Sequence, residues 1–118
     1  MHELAIAQSL LQILEEEALA HGAKRVTRVK VRVGVLSGVI PEALRFAFEV
    51  ASRGGVAEGA DLEIEEVPLR IRCGACGGEF EDGGPFLVCP RCGREAELLS
   101  GRELEIESME IEDGGQGS

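Results

Sequence analysis

The sequence predicts an α+β fold in which two helices pack on a small three-stranded sheet and a separate module is inserted between the last two strands. Two segments show the apolar spacing of helices, three show the alternation of strands, and four cysteines lie between the last two of those strands. We expect residues 1–71 and 96–112 to form the α+β domain and residues 72–95 to form the inserted module. The final residues, 113–118, are rich in glycine and are expected to be a disordered tail.

The first helix is predicted from Leu4 to Leu19, where apolar residues recur at steps of three and four. We expect its buried face to consist of Leu4, Ala7, Leu11, Leu14 and Ala18. His21 and Gly22 should end this helix, because glycine readily adopts the left-handed conformation that closes many helices.

The first strand follows this helix, since valines alternate there with charged or small residues. The alternating residues are Val29, Val31, Val33 and Val35. The second helix is predicted to begin at Pro41, which suits the first helical position, and to end before Gly54 and Gly55. We expect its buried face to comprise Leu44, Ala47, Phe48 and Ala51.

The last two strands share a break in their alternation. In LEIEEVPLRIRC the apolar phase slips at Glu66 and then continues to Ile71, and in ELEIESMEI it slips at Ser108. A slip of one residue reverses the two faces of a strand unless a bulge absorbs the extra residue. Each segment is therefore predicted to be a single strand that is bulged or twisted.

Composition narrows the classes of function that this chain can have. The net charge is −10 and there is no Trp or Tyr, so the chain lacks both an excess of phosphate-binding cations and the large stacking side chains of many nucleic-acid binders. We therefore expect no nucleic-acid partner. The first residues lack the basic start of a signal peptide, and no apolar run has the length of a membrane span. We expect a cytoplasmic protein with no membrane partner, whose thiols stay reduced.

The most specific motif is a pair of cysteine knuckles, CGAC and CPRC, with the spacing C-x2-C-x12-C-x2-C. The cysteines are Cys73, Cys76, Cys89 and Cys92. Two such knuckles supply a tetrahedron of sulfur ligands, which suits zinc. The alternatives are disulfides or free buried thiols, and the paired spacing together with a reducing compartment favours zinc over them. Because four sulfurs fill the coordination sphere, we expect a zinc-ribbon-like module with a structural metal.

Five arginines surround the knuckles in the sequence: Arg70, Arg72, Arg91, Arg94 and Arg102. Zinc ribbons with such arginines include nucleic-acid binders. The acidic net charge and the scarcity of aromatic residues favour another interpretation, in which the arginines offset the charge of the thiolates and of nearby glutamates.

The amino terminus, MHE, offers a second set of metal ligands. The amine of Met1, the amide nitrogen and ring Nδ1 of His2, and the amide nitrogen of Glu3 lie close together along the chain. Four nitrogens in a plane suit Ni(II) or Cu(II). On these residues alone, a frayed helix start with a solvated histidine stays an alternative, with Glu3 placed favourably at the positive end of the helix.

The chain resembles the HypA/HybF family, nickel metallochaperones for nickel–iron hydrogenase maturation. The resemblance is carried, in this order, by the start MHELAIAQSL, the segment GVLSGVIPEALRFAF and the knuckles CGACG and CPRCG. The resemblance runs to about Glu112. It implies two metal sites, with an exchangeable Ni(II) at Met1, His2 and Glu3 and a structural Zn(II) at Cys73, Cys76, Cys89 and Cys92. It also implies delivery of nickel to the precursor of the hydrogenase large subunit, with a nickel-delivery GTPase as a partner and, in some members, urease maturation proteins.

The main alternative function is a zinc-ribbon adaptor that scaffolds a protein complex and carries no exchangeable metal. An enzyme is not expected, because there are only two histidines and the zinc shell is full. One of them, His21, lies about 28 Å along the helix from His2, too far to join the same site in one chain. The sequence leaves open the oligomeric state, a homodimer included, the nickel affinity, the target enzyme, and whether the zinc module regulates the nickel site.

Overall fold

The computed structural model describes residues 2–81 and 87–113, which form two α-helices, one 3₁₀ turn and six strands. In chain order these are α1 (Glu3–Ala20), β1 (Ala23–Gly34), the 3₁₀ turn (Val35–Ser37), α2 (Pro41–Ala51), β2 (Asp61–Val67), β3 (Arg70–Cys73), β4 (Glu79–Phe80), β5 (Ala96–Ser100) and β6 (Leu104–Asp113). The strands make two three-stranded sheets, ordered β2-β1-β6 and β4-β3-β5. The predicted α+β class is confirmed, with two helices, a three-stranded sheet and a separate part that carries the cysteines. Met1 and most of the tail predicted at 113–118 lie outside the described residues.

The chain divides into two compact units. The first unit contains the chain up to Arg32, then Val39–Glu65, and then the chain from Glu105 onward. The second unit contains Val33–Gly38 and Glu66–Leu104, and therefore all four cysteines.

The helix α1 buries a face close to the one predicted. Its buried residues are Glu3, Ala7, Leu10, Leu11, Leu14 and Ala18. The prediction was wrong for Leu4, whose residue surface is 52% exposed, and it missed Leu10. Leu10 fits the same face because it stands three residues after Ala7 and four before Leu14. The helix ends at Ala20, and His21 caps it as predicted.

The strand β1 follows the predicted alternation up to Val33 but not to Val35. Val29, Val31 and Val33 are buried, whereas Val35 is 55% exposed and begins the 3₁₀ turn. The strand ends at Gly34, where the backbone crosses another glycine too closely for a side chain to fit.

The helix α2 begins at Pro41 as predicted and buries Leu44, Ala47 and Phe48. Ala51 is half-buried and is the last residue of the helix. The two helices pack on each other within the first unit, and their apolar faces share its core with Val26, Val29, Val31 and Leu62.

The segment from Leu62 to Ile71 is two strands in two sheets, so the prediction of one bulged strand was wrong. The strand β2 ends at Val67, and β3 begins at Arg70 in the other sheet. The break falls at Pro68, which lacks the backbone N–H that a central sheet position needs. The sequence interpretation also missed β5.

The strand β6 is continuous through Ser108, as predicted. Ile106, Met109 and Ile111 are half-buried, so the half-buried face shifts by one residue between Ile106 and Met109. This is the expected consequence of the slip in the apolar pattern.

A charge pattern matches the strand order of the larger sheet. The central strand β1 carries Arg28, Lys30 and Arg32, and each pairs with glutamates of both neighbours. Arg32, for example, lies 3.2 Å from a Glu105 oxygen on one side and 3.9 Å from a Glu65 oxygen on the other. Opposite charges in adjacent strands stabilise this order, although each exposed pair contributes little.

Candidate metal centre

Each cysteine knuckle is a tight backbone turn closed by hydrogen bonds. In the first, the Gly77 N–H donates to the Cys73 carbonyl oxygen at 2.8 Å, and in the second the Gly93 N–H donates to the Cys89 carbonyl oxygen at 2.9 Å. Gly77 and Gly93 both have φ of +75°, a conformation that glycine adopts without steric cost. The two knuckles therefore have the same local geometry, and the glycine after each CxxC motif is required by it.

The turns aim backbone N–H groups at sulfur atoms. The Cys76 N–H points to the Cys73 Sγ at 3.5 Å, and the Cys92 N–H points to the Cys89 Sγ at 3.4 Å. Such bonds stabilise a sulfur that carries negative charge. They favour the thiolate form that a metal requires.

The four sulfurs predicted as ligands converge on one point. All four Sγ atoms lie within 4.8 Å of one another, with Cys73 to Cys92 at 3.3 Å and Cys76 to Cys89 at 3.8 Å. All four cysteines are free thiols, so the alternative of disulfides is not the state of this structure. Sulfur atoms about 4 Å apart fit the edges of a tetrahedron with metal–sulfur bonds of about 2.3 Å. The cluster therefore has the geometry of a structural metal site.

The protonation of the thiols reflects this crowding. The Cys76 N–H and the hydrogen bond with Cys92 lower the pKa of Cys73 to about 6. Burial raises the pKa of Cys89, but the backbone N–H groups of Cys92 and Arg91 outweigh it, so that pKa is lowered. The Arg94 N–H lowers the pKa of Cys92, yet the hydrogen bond with Cys73 and burial raise it to about 11.

The chemistry of the donors limits what this centre can do. Four thiolates are soft ligands that suit a tetrahedral ion, and together they leave no position for water or a substrate. The cluster is therefore suited to holding the second unit together and not to hydrolysis.

The amino-terminal candidates lie at the start of α1. His2 is exposed and is the residue that precedes the first helical turn, and its carbonyl oxygen accepts the first helical bond, from the Ile6 N–H at 2.9 Å. Met1, the other predicted ligand residue at this end, lies outside the described residues.

Glu3 has a role that sequence reasoning missed. It is only 7% exposed, and its carboxylate accepts a hydrogen bond from the Ile40 N–H at 3.0 Å. Interaction with the terminal amino group and this bond from Ile40 lower the pKa of Glu3 to about 2. The contact joins residues 37 positions apart, and no local pattern in the sequence signals it.

His21 stands at the other end of α1. Its ring Nδ1 lies 2.9 Å from the Glu17 carbonyl oxygen and 3.9 Å from the Glu17 carboxylate. Because a carbonyl oxygen can only accept a hydrogen bond, Nδ1 is the donor in the shorter contact. His21 therefore stands at its predicted position, the end of the helix. The helix of 18 residues separates it from His2.

No helix among the described residues is long and apolar enough to cross a membrane. The fold and the cluster together define a small α+β metal-binding protein whose four-cysteine centre is structural.

Known proteins refine this class. The family described as "Hydrogenase/urease nickel incorporation, metallochaperone, hypA" matches residues 1–111. The hydrogenase maturation factor HypA of Solidesulfovibrio magneticus is 49% identical over 117 residues, covering 95% of this chain and 100% of that protein. The protein of the same name from Roseiflexus sp. is 47% identical, covering 96% and 94%.

Solved structures show the same relationship. The solution structure of the Ni metallochaperone HypA from Helicobacter pylori has a TM-score of 0.68 at 27% identity and covers 96% of this chain and 99% of that one. The chain belongs to the HypA family of nickel incorporation metallochaperones. The predicted family and the predicted non-enzymatic function in hydrogenase maturation are confirmed, which decides against an adaptor without exchangeable metal.

Proposed function

We propose that this metallochaperone binds Ni(II) through the Met1 amine, the His2 amide and ring Nδ1, and the Glu3 amide, in a square plane. The observation that supports this most directly is the exposed position of His2 ahead of the first helical turn. An exposed ligand set at a chain end can exchange its metal with a partner, which delivery requires. A planar nitrogen set also selects Ni(II) over Zn(II).

The backbone at His2 suits this proposal. The helical hydrogen-bond ladder starts with the Ile6 N–H, so the amide of His2 is not one of its donors. The Glu3 carboxylate is turned into the protein toward Ile40. In this proposal Glu3 contributes its backbone nitrogen, while its side chain holds the start of α1 in place.

We further propose that the ion at Cys73, Cys76, Cys89 and Cys92 is Zn(II). The closed sulfur set supports this assignment, because zinc prefers tetrahedral thiolate ligands and undergoes no redox chemistry. Residues 72–95 would then be the zinc-binding module, ordered largely by its metal, and residues 1–71 with 96–112 the nickel-binding domain.

The family's description names hydrogenase and urease nickel incorporation, which supports partners from the maturation machinery of these enzymes. We propose that the acceptor is the precursor of the hydrogenase large subunit and that a nickel-delivery GTPase acts with this protein in the cytoplasm. The sequence has no G-x-x-x-x-G-K-[ST] loop, which supports dependence on a partner for nucleotide hydrolysis. Urease maturation proteins would be a second set of partners. A second copy of this chain, in a homodimer, would be a further one.

The test is a nickel titration of untagged protein, comparing wild type with His2→Ala and with His21→Ala. His21 is the matched control, since it is the only other histidine and is also exposed. We expect His2→Ala to weaken nickel binding at least about 100-fold and His21→Ala to leave it unchanged, with one zinc per chain in all three proteins.

A second variant tests the amine. An added residue before Met1 consumes the free amino group and should also weaken nickel binding. Full nickel affinity in both this variant and His2→Ala would move the site elsewhere in the chain.

A further inference from the structure

The two sides of the four-cysteine centre differ in their exposure. Cys73 and Cys89 are buried, whereas Cys76 and Cys92 are exposed. A competing ligand, an acid or a second metal ion therefore reaches the centre from the side of Cys76 and Cys92. What covers this side controls how fast the bound metal leaves.

An aromatic ring lies on the face of the small sheet that carries the centre. Phe80 in β4 stands directly opposite Ile71 in β3. Directly opposed residues of antiparallel strands share a face, and so do residues two apart in one strand, which places Phe80, Ile71 and Cys73 on the same side. Ile71 and Cys73 are fully buried there.

The tip of this ring reaches the first knuckle because Gly78 has no side chain. A Cβ on Gly78 would lie 2.8 Å from the Phe80 Cζ and 3.6 Å from the Cys76 Sγ. The ring tip and the exposed sulfur therefore both border the small space beside the Gly78 Cα. Gly78 has no positive φ, so the missing side chain is needed for the ring and not for the backbone.

A cation from the second knuckle covers the same ring. The guanidinium carbon of Arg91 lies 5.8 Å from the centre of the Phe80 ring, within the range of a cation–π contact. Arg91 stands between Cys89 and Cys92 in the sequence. The contact therefore connects the strand that follows the first knuckle to the loop of the second.

We propose that Phe80 and Arg91 form a cover on the exposed side of the centre that slows the exchange of its metal. This rests on the proposed function in one respect, that the resident ion is zinc. Zinc with four thiolates carries a net charge of −2, which the guanidinium of Arg91, in the loop between Cys89 and Cys92, partly offsets. The ring narrows the approach of a competing ligand to the exposed Cys76 sulfur. A protein that carries exchangeable nickel needs such a barrier, because nickel also binds thiolates.

The test measures the rate at which zinc-loaded full-length protein transfers zinc to an excess of the chelating dye 4-(2-pyridylazo)resorcinol. We expect Arg91→Ala and Phe80→Leu each to speed the transfer about threefold to fivefold. Gly78→Ala should do the same, since its methyl group displaces the ring and leaves Arg91 and every cysteine unchanged. Arg94→Ala is the matched control, because Arg94 is an exposed arginine that follows the same knuckle and has no described ring contact.

A double variant shows whether the two residues act as one contact. In the Phe80→Leu background, Arg91→Ala should add less than about 1.5-fold. If Arg94→Ala speeds the transfer as much as Arg91→Ala, the effect is one of general charge and the proposed cover is overturned. Unchanged transfer rates in Arg91→Ala and Gly78→Ala would also overturn it.

Zinc counts made before the kinetics separate the two proposals. Wild-type protein with clearly less than one zinc per chain contradicts the zinc assignment and, with it, the cover. One zinc per chain with unchanged exchange rates contradicts the cover alone.

Discussion

Gly34 and Gly101 pass each other so closely that a Cβ on Gly34 would lie 2.1 Å from the Gly101 carbonyl oxygen. Two short hydrogen bonds fix this crossing: the Gly34 N–H donates to the Glu103 carbonyl oxygen and the Leu36 N–H to the Gly101 carbonyl oxygen, both at 2.7 Å. The crossing ties the end of β1 and the 3₁₀ turn after it to the residues that precede β6 within the second unit.

We expect Gly34→Ala to lower the free energy of unfolding by about 3 kcal/mol, because its methyl group meets rigid backbone and must break these hydrogen bonds to fit. Gly55→Ala is the control: its Cβ would meet its nearest atom at 3.4 Å, and its φ is not positive. Urea unfolding of both variants measures the difference. A Gly34→Ala variant as stable as Gly55→Ala would contradict so close an approach of the two backbone segments.

The Glu3 carboxylate should stabilise the start of α1 through its bond to the Ile40 N–H. We expect Glu3→Ala to lower the Tm by about 5 °C, and Glu3→Gln, which keeps an acceptor oxygen, to lower it less. Thermal unfolding followed by circular dichroism gives both values. Identical Tm values for wild type and Glu3→Ala would remove this role.

The same carboxylate makes a prediction about pH. Its pKa is about 2 in the folded protein, lowered by the terminal amino group and the Ile40 N–H, and about 4.3 in an unfolded chain. The stability it adds is therefore complete above about pH 4.3 and is lost as the pH falls toward 2. The stability difference between wild type and Glu3→Gln should shrink over that range, and a difference that grows on acidification would contradict the assignment.

Removal of the metal should disorder one unit and spare the other. The first unit has its own apolar core, which includes Leu14, Leu44 and Val26. Among the described residues of the second unit, two of the three largest fully buried side chains are the predicted metal ligands Cys73 and Cys89. We expect chelation of the metal to speed amide exchange in β3 and β5 at least about 100-fold and to leave the centre of α1 protected. Hydrogen exchange read by mass spectrometry measures both, and equal loss of protection in α1 would contradict it.

The sequence determined the elements whose signals are local. The spacing of apolar residues located both helices, Pro41 located the start of α2, and the pattern C-x2-C-x12-C-x2-C identified the four sulfurs that converge. These features depend on residues a few positions apart, and that range is what periodicity and knuckle spacing report. The resemblance of the whole chain to a family supplied the function that local chemistry left open.

Tertiary structure decided the features that join distant parts of the chain. The apolar positions continue from Leu62 to Ile71, yet the chain passes from one sheet to the other at Pro68. The sequence pattern does not show this change, because the strands that pair with β2 and with β3 lie elsewhere in the chain. Three further contacts also join residues that are distant in the sequence. They are the hydrogen bond from Ile40 to Glu3, the ring of Phe80 beneath Arg91, and the crossing of Gly34 with Gly101. Such contacts form only when the packed core brings remote backbone segments within a few ångströms, and a one-dimensional pattern carries no measure of that distance.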